Sequence, residues 1–236
     1  MRENKPPTSR RQFLAIGGSL ASAVTLAGCN TSRPEVKLSN AAVGNPDCVL
    51  TPARIEGPYY SPVNLVRRDI TEGKPGIPLM LKLRVTDAGT CAPITNATVD
   101  IWQADAVGLY SQFDEQGDTK DLDLSEETFL RGIQPTDESG VATFDTIYPG
   151  WYEGRTIHIH IKIIIDDALI VTSQMFFPEE ITQETLKVEE YAGRGDPDTT
   201  NESDRFGGSD TGLRLRISGS TEAYVGELTI GINKPA

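Results

Sequence analysis

Apolar and polar residues alternate along several short segments after residue 47, and this alternation predicts β-strands. Successive side chains of a strand point to opposite faces, so a period of two marks a strand with one buried face. Turn-forming residues, such as Asp87-Ala88-Gly89, separate these segments. The predicted strands are residues 79–86, 97–102, 141–147, 157–165 and 213–217.

The spacing of these segments predicts an all-β fold. Only residues 180–191 are expected to form a short helix, since no longer stretch has a helical period. Short strands separated by frequent turns favour an antiparallel β-sandwich with long loops and little helix. Residues 111–128 are acidic and residues 192–212 are rich in Gly, Asp and Thr, so both are expected to be loops with solvated charges.

The predicted strand 157–165 carries the only two histidines of the chain, His158 and His160. Its isoleucines occupy the alternate positions, and we expect them to face the core while both histidines share the other face. That pair is either a polar patch on a solvated face or a metal clamp. Because the chain has two histidines, any further metal ligands must be Cys, Asp, Glu or Tyr, which excludes sites built from three histidines.

The first 28 residues resemble an export signal. Arg10 and Arg11 precede a short apolar stretch that ends in Leu26-Ala27-Gly28-Cys29. The paired arginines are typical of the Tat route, and the ending resembles a bacterial lipoprotein cleavage box with Cys29 as the lipidated residue. We therefore predict a Tat-type lipoprotein signal over 1–28, a flexible tether over 29–47, and a folded β-sandwich domain over 48–236. The alternative is a plain signal peptide with a chance cysteine.

The net charge limits the partners that this protein can bind, and the cysteines are considered in the light of the predicted export. The formal net charge of −12 argues against nucleic acid, which requires a basic patch. Membrane attachment is expected only through a lipid on Cys29, at the periplasmic side or the cell surface. Disulfides are allowed in exported proteins, so the remaining Cys48 and Cys91 are predicted to form a bridge. The alternative is two separate buried thiols.

A run of motifs resembles the intradiol ring-cleavage dioxygenases, the family of the catechol and protocatechuate dioxygenases. Pro149-Gly150-Trp151-Tyr152 is followed by Arg155 and then by His158 and His160, which is the order of that family. Upstream, a strand ending in Trp102 precedes Gly108-Leu109-Tyr110-Ser111. Matching blocks in the family's order, over roughly residues 48–180, are also Glu56-Gly57-Pro58-Tyr59-Tyr60, Phe129-Leu130-Arg131-Gly132 and Ser173-Gln174-Met175-Phe176-Phe177.

The resemblance implies a non-haem Fe(III) centre and cleavage of a catecholic ring by O2, giving a cis,cis-muconate-type product. The implied metal ligands are Tyr110, Tyr152, His158 and His160. Tyr152 and His158 would be the axial pair, and Tyr152 would leave the metal and accept a substrate proton. Tyr110 and His160 would stay in place.

The resemblance also implies three roles near the substrate. Arg155 would contact the substrate and stabilise negative charge on its ring, and Gln174 would support that arginine or the ring. Pro58 and Tyr59 would line the substrate mouth. Trp102 is expected to belong to the core.

The sequence departs from the family pattern in two places, and these differences indicate which branch of the family it resembles. The gap between Tyr152 and His158 is short, and the chain has no room for the helical N-terminal dimerisation region of the catechol branch. The chain therefore looks like the short, exported branch, with a small catechol and O2 as partners, and a homo-oligomer stays open. An acidic protein favours neutral catechols slightly. The alternatives are a non-catalytic, transthyretin-like exported sandwich that binds a ligand, and a zinc hydrolase that uses the two histidines.

Overall fold

The computed structural model describes residues 48–234, and the predicted signal peptide, the tether and Cys29 lie outside this range. Two four-stranded sheets form the described part, with strand orders β4-β1-β8-β7 and β3-β2-β5-β6. The strands are β1 Pro78–Asp87, β2 Thr98–Trp102, β3 Arg131–Pro135, β4 Val141–Ile147, β5 His158–Ile165, β6 Ala168–Phe176, β7 Arg216–Ser220 and β8 Ala223–Ile232.

The core lies between the two sheets, where the apolar positions of alternating strands meet. β1 contributes Leu79, Leu81, Leu83 and Val85, all of them buried. β5 contributes the isoleucines at 159, 161 and 163 from the facing sheet. Burial of such side chains is the main source of stability in a domain of this size. The predicted β-sandwich with little helix is therefore confirmed.

The structure differs from the sequence prediction in four respects. β1 pairs with β8 in parallel, so the first sheet is mixed rather than purely antiparallel. The strand predicted over 213–217 is wrong in its bounds, because Thr211–Leu213 forms a 3-10 turn and β7 begins at Arg216. The helix predicted over 180–191 is divided into α1 Glu179–Thr185 and α2 Glu189–Ala192. Three strands, β3, β6 and β8, lie outside the predicted segments.

β5 is an inner strand of the second sheet, between β2 and β6. His160 lies opposite Trp102 of β2 and opposite Gln174 of β6, while His158 lies opposite Phe176. Both faces of the first six residues of β5 are buried. One face of the strand therefore belongs to the core, and the other belongs to a second, enclosed set of side chains.

A disulfide joins Cys48, where the described chain begins, to Cys91 in the turn after β1, with Cα atoms 5.3 Å apart. The backbone of the first residues also pairs with the last strand, since the Thr51 N–H donates to the carbonyl of Gly231. The start of the domain is thus fixed to the first sheet at two points. No helix within 48–234 is long and apolar enough to span a membrane.

Candidate metal centre

β5 places both histidines on the face of its sheet that points away from the core. His158 and His160 are buried, and their Nε2 atoms lie 3.0 Å apart. The Nδ1–H of His158 donates to the carbonyl of Thr156 at 2.7 Å, so the lone pair of this imidazole is on Nε2. The periodicity predicted one shared face, and that face is enclosed rather than solvated.

Two glycines allow the tyrosine-bearing segments to pack backbone against backbone. A Cβ at Gly108, whose φ is +85°, would lie 2.2 Å from the carbonyl oxygen of Trp151. A Cβ at Gly150 would lie 2.2 Å from the carbonyl oxygen of Ala106. No side chain fits at either contact. The two motifs that each carry a tyrosine are therefore held in direct contact.

Tyr152 approaches the histidines from the turn after β4. Its hydroxyl oxygen lies 3.2 Å from Nε2 of His158, and its half-buried side chain lines a cavity. Tyr110 is fully buried, and its hydroxyl has no hydrogen-bond partner in the described structure. The Tyr110 ring stacks on Tyr59, with centroids 4.4 Å apart, and meets the edge of the Tyr152 ring at 5.6 Å.

Arg131, from the Phe-Leu-Arg-Gly motif, fixes the segments on both sides of the Tyr110 ring. Its buried guanidinium donates from Nε to Ser111 Oγ at 3.0 Å and from Nη2 to the Ser111 carbonyl at 2.6 Å. Nη1 donates to the carbonyl of Tyr59 at 2.9 Å. One arginine thus holds the residue after Tyr110 and the residue that stacks on Tyr110.

The electrostatic environment keeps all four candidate ligands neutral in the metal-free protein. Burial raises the pKa of both Tyr110 and Tyr152 above the ordinary value of 10. Burial, followed by the charge of Arg155, lowers the pKa of His158 to about 3. Burial and the neighbouring imidazole lower the pKa of His160 in the same direction. A bound cation would therefore have to displace the two phenol protons.

Arg155 and Gln174 converge on the same place. Nη1 of Arg155 lies 3.1 Å from Nε2 of His158 and 3.4 Å from the hydroxyl of Tyr152. Nη2 donates to Oε1 of Gln174 at 2.5 Å. The amide nitrogen of Gln174 donates in turn to the carbonyl of Ile55 at 2.9 Å. Both residues that the sequence placed near the metal therefore lie beside the four candidate ligands.

Asp204 is a site residue that the sequence analysis missed. The loop 192–212 was expected to carry solvated charges, and this is wrong at Asp204, which is buried and accepts from Nε of Arg155 at 2.9 Å. The ring of Phe206 lies 4.8 Å from the same guanidinium. Nothing in the local pattern separates Asp204 from the other acidic residues of this loop, because only the tertiary fold brings it to β5.

Trp102 also contacts the site, although the sequence analysis placed it in the core. Its ring stacks on the imidazole of His160 with centroids 4.8 Å apart and an interplanar angle of 6°. Together with Tyr110 it belongs to a second apolar cluster, separate from the main core. The sequence could have indicated this contact, because Trp102 ends β2, and β2 pairs with the strand that carries the histidines.

A cavity of about 420 Å³ opens onto this cluster. Pro58 and Tyr59, predicted at the substrate mouth, line it together with Tyr152 and Arg155. Tyr110 and the histidines are not among its lining residues. A cavity of this size accommodates a small aromatic molecule, and Tyr152 is the candidate ligand that such a molecule would meet first.

The side chains present fit a ferric ion. Phenolate oxygen and imidazole nitrogen form a donor set for a hard cation that also accepts nitrogen. The buried, unpartnered hydroxyl of Tyr110 is costly unless it binds something. Gly57 preserves room beside His160, since a Cβ there would lie 3.3 Å from Cε1 of that ring. Within residues 48–234 no group of three or more His, Cys, Asp or Glu is placed to hold a metal ion, so any site at the two histidines needs the tyrosines as ligands.

Comparisons with known sequences agree with these motifs. A family model described as dioxygenase matches residues 55–186. The chain is 30% identical over 148 residues to catechol 1,2-dioxygenase of Acinetobacter baylyi, which covers 53% of this chain and 45% of that protein. It is 33% identical over 125 residues to the protocatechuate 3,4-dioxygenase beta chain of Burkholderia cepacia, covering 49% and 51%. The chain thus spans about half the length of these curated relatives.

Solved structures extend the similarity to the fold. An intradiol ring-cleavage dioxygenase from Tetranychus urticae superposes with a TM-score of 0.72 at 33% identity, covering 79% of this chain and 95% of that one. The dioxygenase domain of a carbohydrate-binding fusion protein from Streptomyces sp. SirexAA-E gives a TM-score of 0.60 at 29% identity, covering 79% and 99%. These two structures therefore share the sandwich fold of this chain over most of their own length.

Proposed function

The chain belongs to the intradiol ring-cleavage dioxygenase family, and from this membership we propose that it uses O2 to open a catecholic ring between its two hydroxylated carbons. The proposed cofactor is non-haem Fe(III), held by Tyr110, Tyr152, His158 and His160. The proposed product is a cis,cis-muconate-type diacid, which contains both atoms of O2. The family model and the similar structures confirm the resemblance of the sequence motifs to this family.

One observation carries this proposal, namely the convergence of the only two histidines with two tyrosines beside a cavity. Nε2 of His158 lies 3.0 Å from Nε2 of His160 and 3.2 Å from the hydroxyl of Tyr152. The enclosed hydroxyl of Tyr110 completes the group. A surface pair of histidines would require neither this burial nor the tyrosines.

The two tyrosines have different surroundings, and this supports different roles. Fe(III), when bound, supplies the Lewis acidity that draws electron density from a catecholate and prepares its ring for O2. Tyr152 lines the cavity, so its phenolate oxygen is placed to accept one of the two hydroxyl protons of an entering catechol. Tyr110 is packed under Tyr59 and held by its neighbours, so it is suited to remain in place.

Arg155 and Gln174 would act on the bound ring. The guanidinium lies at the boundary between the cavity and the imidazoles, where it can stabilise negative charge that develops on the substrate. Gln174 holds one edge of that guanidinium. Pro58 and Tyr59 would position the ring and exclude water. Acidic and basic side chains both line the mouth, which suits a neutral catechol.

The non-catalytic, transthyretin-like alternative has no support. A ligand-binding sandwich does not require four potential metal ligands and an arginine on one enclosed face. The similar proteins described above are dioxygenases.

The proposal is tested on the full-length chain produced with ample iron. We expect coloured protein with stoichiometric iron, a visible band that shifts when catechol is added, and O2 uptake across a panel of catechols. The Tyr110→Phe variant should lose colour and turnover. Colourless, iron-free protein, or zinc in place of iron with no role for Tyr110, would contradict the proposal.

We also propose export by the Tat route and anchoring through a lipid on Cys29, on the basis of the twin arginines and the cysteine box. Cell fractionation should place the wild-type protein with the membranes. The Cys29→Ser variant should appear in the soluble exported fraction instead. Wild-type protein that is soluble in the cytoplasm would refute this proposal.

A further inference from the structure

The guanidinium of Arg155 is held on several sides, and each nitrogen has a separate partner. Nε donates to a carboxylate oxygen of Asp204 at 2.9 Å, and Nη2 donates to the amide oxygen of Gln174. Nη1 is the nitrogen that remains for His158 and the Tyr152 hydroxyl. A planar guanidinium with two of its nitrogens fixed has no freedom to rotate. The direction of Nη1 is therefore set by the other two contacts.

Asp204 is bound as firmly as the arginine that it holds. The side chains of Arg155 and Asp204 are 7% and 0% exposed. The carboxylate also accepts from the backbone N–H of Thr156 at 3.1 Å and from that of Phe206 at 2.8 Å. Burial favours the neutral acid, but the hydrogen bond and charge of Arg155 outweigh it and hold the pKa of Asp204 below its ordinary value. The group is thus an anion fixed in position by backbone and side chain.

The charge of this pair matters as much as its geometry. A buried arginine without an anion would disfavour any cation bound beside His158, because like charges repel strongly where water is excluded. Asp204 offsets that charge at Nε, whereas His158 lies beside Nη1. It is not among the residues that line the substrate cavity, so it has no direct access to a bound ring.

We propose that Asp204 is a positioning residue, which aims Nη1 of Arg155 at the metal-ligand cluster and balances its charge. This inference rests on the proposed dioxygenase function. Asp204 lies in the loop 192–212, beyond the residues 55–186 that the family model matches. The C-terminal part of the chain therefore completes a site whose candidate metal ligands, together with Arg155 and Gln174, come from the matched region.

The test compares two aspartates of the same loop. Asp204→Asn keeps the size of the side chain and removes its charge. Asp210→Asn is the matched control, because Asp210 also pairs with an arginine, Arg54 at 2.7 Å, and also accepts from a backbone N–H two residues later. For Asp204→Asn we expect kcat on catechol to fall about tenfold, with KM changed less than about threefold. Asp210→Asn should change neither constant beyond about twofold.

A double-mutant cycle separates positioning from a general structural role. If Asp204 acts through Arg155, the change Asp204→Asn should cost nothing further in an Arg155→Gln background. Arg155→Lys provides a second test without altering Asp204, because a lysine retains the charge but cannot hold all these partners in one plane. It should lose kcat as Arg155→Gln does.

A readout in the metal-free protein makes the inference independent of turnover. In ¹⁵N spectra, the Nε–H of Arg155 should exchange slowly with water in the wild type and in Asp210→Asn, and rapidly in Asp204→Asn. Equal kcat in the wild type and Asp204→Asn would overturn the proposal, as would full activity of Arg155→Lys or an additive loss in the cycle. Wild-type protein that turns over no catechol would instead contradict the proposed function, while the exchange measurement would still test the contact.

Discussion

The hydroxyl of Tyr110 gives the prediction that most directly tests the metal centre. It is buried without a hydrogen-bond partner, and burial raises the pKa of this tyrosine well above its ordinary value. The metal-free protein therefore carries the cost of a desolvated polar group that the neighbouring Tyr152 hydroxyl offsets only in part. Replacing Tyr110 by Phe removes that group and leaves the packed ring. The variant should make the metal-free protein more stable while removing a metal ligand.

The magnitude follows from the cost of an unsatisfied buried hydroxyl, about 1–3 kcal/mol. We take the lower end, about 1 kcal/mol, because the nearby Tyr152 hydroxyl interacts with that of Tyr110. In a chain of this length such a gain raises Tm by about 2–4 °C. Tyr148→Phe is the matched control, since that buried tyrosine shares a 2.7 Å hydrogen bond with Thr182. Its loss should lower Tm by a similar amount.

The assay is thermal unfolding by circular dichroism, with and without ferric iron, on protein first stripped of metal. Iron should raise the Tm of the wild type and of Tyr148→Phe, and raise that of Tyr110→Phe far less, because a bound ligand stabilises in proportion to its affinity. If Tyr110→Phe lowers the Tm of the metal-free protein as Tyr148→Phe does, the hydroxyl is fully satisfied without a metal. In that case the argument for a metal at this position fails.

Two further predictions concern the framework around the site. Breaking the disulfide between Cys48 and Cys91, by the paired change to serine, should lower the free energy of unfolding by about 4 kcal/mol in the chain-entropy account of a 43-residue separation; an unchanged denaturant midpoint would contradict it. Gly108→Ala should cost more than about 2 kcal/mol and reduce iron content, because its Cβ would meet a carbonyl oxygen at 2.2 Å. Gly73→Ala, at φ +75° with open space around it, should cost only about 1 kcal/mol in the same melt and leave iron content unchanged.

The sequence was informative wherever a local period coincides with the fold. The alternation over residues 157–165 places the isoleucines in the core and both histidines on the opposite face. The segment 141–147 forms β4 with the predicted bounds. In both strands a single buried face determines which side chains point inward, and that information is contained in the spacing alone.

Pairings between distant segments could not be obtained in this way. The parallel contact of β1 with β8 joins residues far apart in the chain, and the alternation of each strand is compatible with either direction. β8 was missed because Gly226 interrupts the row of apolar positions formed by Tyr224, Leu228, Ile230 and Ile232. Asp204 was missed for a related reason, since its role depends on a loop that folds back to Arg155. Burial of a charged side chain is a property of the assembled protein, not of its neighbours in sequence.

The two buried faces of β5 have a consequence for how this protein can change. Along this strand the odd-numbered isoleucines are packed into the sandwich, whereas His158 and His160, at even positions, belong to the candidate iron site. Substitutions such as Ile161→Val should therefore alter thermal stability while the chemistry is preserved. Changes at His158 or His160 should instead alter the chemistry more than the thermal stability. A single inserted residue within the strand would exchange the two sets and abolish both properties together. Selection can adjust stability and chemistry separately along this strand, provided that its length is kept.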